Sequence, residues 1–319
     1  MRAVILEEHF IFARTNMKYL SYDDIYLKDL AQVEQLASLY SDRIIIIHET
    51  ISTAAEIGMF ASNPSLAGKV CMLVSDPLAI EGDKTGSFIK LSFLNKRSPH
   101  PSVKLIRYYP DIEIYRFSEN KSDYHTYFHN NKIGDCLAKE ISSFITPNIT
   151  TKNIVFRKKV YGKATNSSEI VDYSISDEKG SVFLDLHIDT LKIQLLSILF
   201  LDEIRRELRK AKSIQKHVLY LLKIFQSLLL NTVSEIEGKN LNEYTAKINI
   251  KDSSCEIKQA IGYFLYMLQA AKIIGMEQKY DEKPEVRKIR FSTVLDQYKD
   301  QFIHLILDSG TTEFGRLTT

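Results

Sequence analysis

Glu49, Ser52, Thr53 and Glu56 fall within "HETISTAAEIGMFASNP" (48–64), directly after the apolar run "RIIIIH". A carboxylate set among small residues just past a buried strand can act as a nucleophile or stabilise an oxocarbenium-like centre, as in glycoside chemistry. Ser52 or Thr53 is expected to cap a helix that starts there, and the helix dipole would then favour an ionised Glu56. The spacing of Thr53 and Glu56 equally fits a capping box, a purely structural role. The residues by themselves leave both roles open.

Other constellations point to less. His125 and His129, with Asp123, have the i, i+4 spacing of metal ligands on a helix, but neither a Glu-framed motif nor a third ligand accompanies them, so no metal site is expected. There is no Gly-x-Ser-x-Gly turn and no Gly-x4-Gly-Lys-Ser/Thr phosphate loop, which sets aside serine-hydrolase and P-loop chemistry. "RRELRKAKSIQK" (205–216) is a basic helical run of the kind that usually forms a solvated face, with phosphate contact as the alternative.

The elements that must hold the acids alternate along the amino-terminal half. Short apolar runs at 3–6, 43–48, 69–74 and 103–109, followed by "EIYRF", read as strands. "DIYLKDLAQVEQLASLY" (24–40) has helical spacing, "TAAEIGMFASNP" begins a second helix that Pro64 helps close, and "KIGDCLAKEISSFITPNITTKN" (132–153) reads as a last helix running into a linker. Unalternating apolar strands between helices predict an α/β fold, an open, doubly wound, mostly parallel sheet covered on both faces. Ligands of such sheets bind outside the carboxyl ends of the strands, where Glu49 to Glu56 lie.

Past a boundary near 148, residues 149–190 are β-leaning and broken by "GKATNSS" and "DEKGS". Residues 191–319 are mainly helical until 272–293, where two β runs flank the turn-forming "DEKPE" and a final helix follows, as in a winged helix-turn-helix. The apolar stretch 190–204 is interrupted by Lys192, Gln194 and Asp202 and is too short to span a membrane, so it reads as a buried helix. The amino terminus lacks the apolar centre and cleavage site of a signal peptide.

The 319 residues suit two or three globular units, and a formal net charge of +2 gives no global nucleic-acid or membrane signal. The 3 cysteines, Cys71, Cys136 and Cys255, are far apart, which fits neither a disulfide framework nor a zinc knuckle and predicts a reduced, cytoplasmic protein.

"SDRIIIIHETISTAAEIGMFASNPSLAGKVCMLV" (41–74) resembles the core of the nucleoside 2-deoxyribosyltransferase-like N-glycosidases, most closely the branch that serves as type II retron effectors. In that branch an aspartate, an apolar strand, a Glu-Ser-Pro-Gly-Ser-like turn and an Ala/Thr-Glu-Leu-Gly helix recur in this order. Asp42, Ile44 to Ile47, Glu49, Ser52 and Thr53, and Glu56-Ile57-Gly58 occupy those places. The resemblance implies that Glu56 is the nucleophile, attacking the anomeric carbon of a nucleoside, a nucleotide or the nicotinamide riboside of NAD. "LEEHF" (6–10) and "DLAQVEQLA" (29–37) resemble further family segments and suggest that Glu8, Asp29 and Glu34 hold sugar hydroxyls. "GSFIKLSFLNKR" (86–97) resembles a segment whose loop closes over the substrate and places Ser87 near the site, while Glu49, Ser52 and Thr53 complete the expected substrate-binding set.

The family normally opens with a strand and a Gly-rich turn ahead of the Glu8 segment, whereas no glycine precedes Gly58 here. Either the start is truncated or the element is lost. A glycine of the turn is replaced by Ser52, and a Gly-Pro by Ser92-Phe93, changes that bear on which substrate fits.

The expected organisation is a deoxyribosyltransferase-like domain over 1–148, a connecting segment over 149–190 and a winged-helix-like region over 191–319. "QAIGYFLYMLQAAKIIGM" (259–276) resembles the helix before the wing in retron effectors, and Arg287, Lys288 and Arg290 of the wing would meet nucleic acid or a protein partner. The resemblance implies a toxin restrained by a retron reverse transcriptase and its RNA-linked DNA (msDNA), acting on NAD or a related nucleotide without a cofactor. The alternatives are a nucleotide-sensing binding module that has lost catalysis and a DNA-binding regulator. No membrane partner is expected, and higher-order assembly is left open.

Overall fold

The computed structural model describes residue 4 and residues 30–48, 51–75, 103–108, 112–116, 118–125, 128–129, 132–146, 154–159, 169–277 and 288–296. Within these the chain is a mixed α/β protein without a barrel, its two larger sheets dominated by parallel pairs. It divides into two compact units, one of residues 41–150, the other of residues 1–40 with 151–319.

Helix α1 (Leu30–Tyr40) belongs to the second unit, although the sequence reading set it beside the strands that follow. Its buried face, Val33, Leu36, Ala37 and Tyr40, recurs at helical spacing. The Tyr40 hydroxyl donates to the Ala260 carbonyl at 2.7 Å, and its ring stacks on Tyr263. Burial raises the Tyr40 pKa well above its ordinary value, with the nearby Cys255 and Asp252 adding to the rise, so the phenol stays a neutral donor.

The first unit starts with β1 (Ile44–His48), continues through α2 (Ile51–Ala61) and the short α3 (Pro64–Ala67), and returns to β2 (Val70–Ser75) and later β3 (Lys104–Tyr108). These strands form a parallel sheet in the order β1-β2-β3, with Ile46 opposite Met72 and Leu73 opposite Ile106. Pro64 does not end α2. It sits in the first turn of α3, where a missing N–H costs nothing, and Asn63 caps that helix by accepting from the Ser65 N–H.

Val70 to Val74 of β2 are all buried, as expected of a central strand in a covered sheet. The expectation fails for β1, where Ile46 and His48 are 5% and 6% exposed but Ile45 and Ile47 are 41% and 52% exposed. Alternate residues of a strand point to opposite faces, so the face of β1 that carries Ile46 and His48 is covered and the face that carries Ile45 and Ile47 is not.

The strands β4 (Ile112–Arg116) and β5 (Lys121–His125) form an antiparallel hairpin, followed by the small pair β6 (Phe128–His129) and β7 (Lys132–Ile133). His125 and His129 therefore stand on extended backbone, and the helical spacing that suggested metal ligands does not exist. Among the described residues no cluster of His, Cys, Asp or Glu could hold a metal ion. Helix α4 (Asp135–Ile145) closes the unit by placing Leu137, Ile141 and Phe144, one stripe, on Cys71, Leu73, Ile106 and Tyr108. Arg43 fastens its end by donating from Nε to the Phe144 carbonyl at 2.9 Å.

The second unit holds a four-stranded sheet in the order β11-β10-β9-β8, made from β8 (Val155–Lys158), β9 (Ile170–Ser176), β10 (Ser181–Leu186) and β11 (Thr245–Ile250). The segment read as connecting thus supplies three strands of a sheet whose fourth comes from the helical region. The "DEKGS" break is the β9–β10 turn, where Gly180 adopts a φ of 50° that favours glycine. Between β10 and β11 run α5 (Ile188–Leu199), α6 (Asp202–Lys210) and α7 (Ile214–Glu237), the crossover that a parallel pair needs.

Helix α8 (Ile257–Ala270), buried along most of its length, precedes β12 (Ile274–Glu277), which pairs antiparallel with β13 (Lys288–Phe291) before the single turn α9 (Thr293–Asp296). The expected hairpin strands are present, and the "DEKPE" between them lies outside the described residues. No described helix is long and apolar enough to cross a membrane.

Candidate functional site

Helix α2 begins at Ile51, earlier than a cap at Ser52 or Thr53 allows. Thr53 is therefore inside the first turn. Its Oγ1 and the Nδ1 of His48 share a hydrogen bond of 3.1 Å that spans the junction between β1 and α2. A capping box between Thr53 and Glu56 is excluded by this geometry, since such a box needs its first member ahead of the helix.

Glu56 lies in the following turn, half-buried, and Thr53 is its i−3 neighbour on the same side of the helix. The strand explains the position of this cluster and the helix explains its spacing. Residues at the carboxyl end of β1 reach the rim of the parallel sheet, and the next helix rises from that rim. Ile57 and Phe60, both buried, hold α2 against the sheet, which leaves the neighbouring Glu56 stripe less covered. The first unit places His48 at the end of β1 and Thr53 and Glu56 in the first turns of α2: an imidazole, a hydroxyl and a carboxylate at the carboxyl end of a parallel sheet.

The other expected residues fare variously. Ser52 is the second residue of α2. Glu34 is half-buried on α1 and belongs to the second unit. Lys288 opens β13, and Arg290 on the same strand is exposed. Glu8, Asp29, Glu49, Ser87 and Arg287 lie outside the described residues.

His48 was not singled out from the sequence. As the last letter of "RIIIIH" it reads as the end of a strand, and the five-residue reach to Thr53 is set by how the chain turns from strand to helix. The available signal was a polar, ring-nitrogen side chain at a position whose strand parity matches the buried Ile46.

A family model described as STM3845 retron effector protein matches residues 3–276 of the chain. No curated protein and no solved structure matches it.

Proposed function

This chain belongs to the STM3845 retron effector protein family, and from that premise we propose that it is an antiphage effector. In this reading it is an N-glycosidase with Glu56 as nucleophile, hydrolysing the N-glycosidic bond of NAD or a related nucleotide. The observation that carries the reading is the carboxylate of Glu56 one turn above a His48–Thr53 pair, at the carboxyl edge of a parallel sheet.

The chemistry follows a retaining course. A Glu56 oxygen bonds to the anomeric carbon as the carbon–nitrogen bond breaks, and the base leaves with the bonding pair. Nicotinamide is cationic while attached to ribose, so it departs neutral and needs no proton. Water then attacks the same carbon, the ester bond to Glu56 breaks, and a proton passes to solvent. A second base in place of water would give transfer instead of hydrolysis. Ser52 and Thr53 flank this centre, and Glu8, Asp29, Glu34, Glu49 and Ser87 are proposed to bind the sugar and its substituents.

The second unit is assigned to restraint. Its β12–β13 hairpin, with Arg287, Lys288 and the exposed Arg290, is the proposed docking element of a winged-helix-like region for a reverse transcriptase and its msDNA. Phage infection would relieve that restraint.

Glu56→Gln keeps the shape of the side chain and removes the nucleophile. Expression of the variant without the partner complex is expected to abolish NAD loss and growth arrest, with far-UV circular dichroism unchanged. Equal toxicity of variant and wild type refutes the assignment.

A further inference from the structure

We propose that His48 is a positioning residue for the Glu56 reaction and acts through Thr53; the inference rests on the reading of Glu56 as nucleophile. A histidine is an expensive side chain to bury at the end of a strand, because each ring nitrogen taken from water must find a partner. His48 is 6% exposed, on the same face as Ile46, where a leucine would serve packing alone. Its Nδ1 instead bonds the Thr53 hydroxyl, five residues on and inside the first turn of α2. The bond closes the strand-to-helix junction with side chains and fixes where the helix begins. In either tautomer of the imidazole the Thr53 hydroxyl is oriented by it, as donor to a bare Nδ1 or as acceptor from Nδ1–H.

The consequence reaches Glu56 through the helix. Residues at i and i+3 are neighbours on a helical surface, about 5–6 Å apart at Cβ. A carboxylate attacks only from a near-attack geometry, with its oxygen about 3–3.5 Å from the anomeric carbon, and a displacement of about 1 Å can cost about 100-fold in rate. A helix free to start one residue later, or to tilt at its base, loses that geometry without losing its fold. His48 touches neither sugar nor base in this account.

The test is a double-mutant cycle on the purified full-length chain with NAD as substrate. Thr53→Val preserves shape and removes the bond; His48→Phe preserves a buried ring and removes the nitrogen; His48→Asn retains a polar atom at the place of Nδ1. Each of the first two is expected to lower kcat by about 10- to 100-fold with KM changed less than about threefold. The double variant should be no slower than the worse single, because one bond is lost only once. His48→Asn should recover most of kcat.

Full kcat in Thr53→Val and His48→Phe overturns the proposal, and so do losses that multiply in the double variant. Glu56→Gln run in parallel separates the two levels: its inactivity beside fully active His48 and Thr53 variants refutes the positioning role alone. Wild-type protein that releases no base from NAD or a nucleotide panel refutes the nucleophile reading and this one with it. Should His48→Phe fail to fold, Thr53→Val and His48→Asn still decide.

Discussion

Gly58 lies two residues beyond Glu56 in the interior of α2, where glycine costs about 1 kcal/mol relative to alanine. Its φ is not in the left-handed region, and a Cβ built on it meets nothing within 4 Å, so neither backbone geometry nor packing among the described residues demands it. Gly58→Ala is expected to raise the urea midpoint by an amount equal to about 1 kcal/mol at unchanged slope. A lowered midpoint would show that the space is filled. Measured beside base release, the same variant reports whether the open space serves substrate: stability gained with activity lost places the substrate against this turn. The strand-to-helix junction that carries Glu56 was legible in the run from Asp42 to Gly58. The His48–Thr53 bond across it was not, since that bond depends on the turn geometry between a strand and a helix and not on any spacing rule.

At the scale of elements, Arg205 shows how a charge pattern misleads. The run "RRELRKAKSIQK" reads as a solvated face, and Arg206, Arg209 and Lys210 are indeed exposed, but Arg205 is buried beside Ile204 and Leu208. Its Nε donates to the Leu199 carbonyl at the end of α5, and its terminal nitrogen pairs with Asp296 at 2.6 Å. Its guanidinium lies over the rings of Phe200 and Phe291, at 5.8 Å and 5.5 Å. One planar side chain therefore joins α5, α6, β13 and α9. Arg205→Lys keeps the charge but loses the flat, forked donor set, and it is expected to destabilise the protein by about 1–3 kcal/mol in chemical denaturation. Retained wild-type stability in Arg205→Lys would show that the clamp is only a charge. Strand and helix positions, by contrast, were largely readable, because apolar periodicity encodes local conformation directly. The β1 isoleucines were misread as doubly covered because a run of apolar residues does not say whether another layer packs on each face.

At the scale of the molecule, His217 and Asp172 of the second unit are among the groups that tie stability to pH. Burial pushes the His217 pKa below its ordinary 6.5, against the pull of hydrogen bonds to the Ala211 and Leu208 carbonyls. Burial likewise raises that of Asp172, but hydrogen bonds from Lys251 and Arg157 outweigh it and leave the carboxyl below its ordinary 3.8. Both groups bind protons more readily unfolded than folded. Stability is therefore complete above about pH 6.5, falls as His217 becomes protonated in the unfolded chain, and falls again below about pH 4. Thermal unfolding across pH should show both declines; His217→Gln should remove the first and Asp172→Asn should reduce the second, to which Asp177 and Glu237 also contribute. A midpoint that stays flat from pH 7 to pH 5 in the wild type counts against the His217 account. By itself the sequence determined the parallel strands β1 to β3, the helices beside them, the acid that follows β1 and the retron effector resemblance, since each is written in neighbouring residues. Only the tertiary structure decided that α1 packs with residues 151–319, that residues 154–186 join β11 in one sheet, that Arg205 is interior, and that His48 reaches Thr53. Those are meetings between surfaces far apart in the chain or across a turn, and local periodicity specifies a face without specifying what it will face.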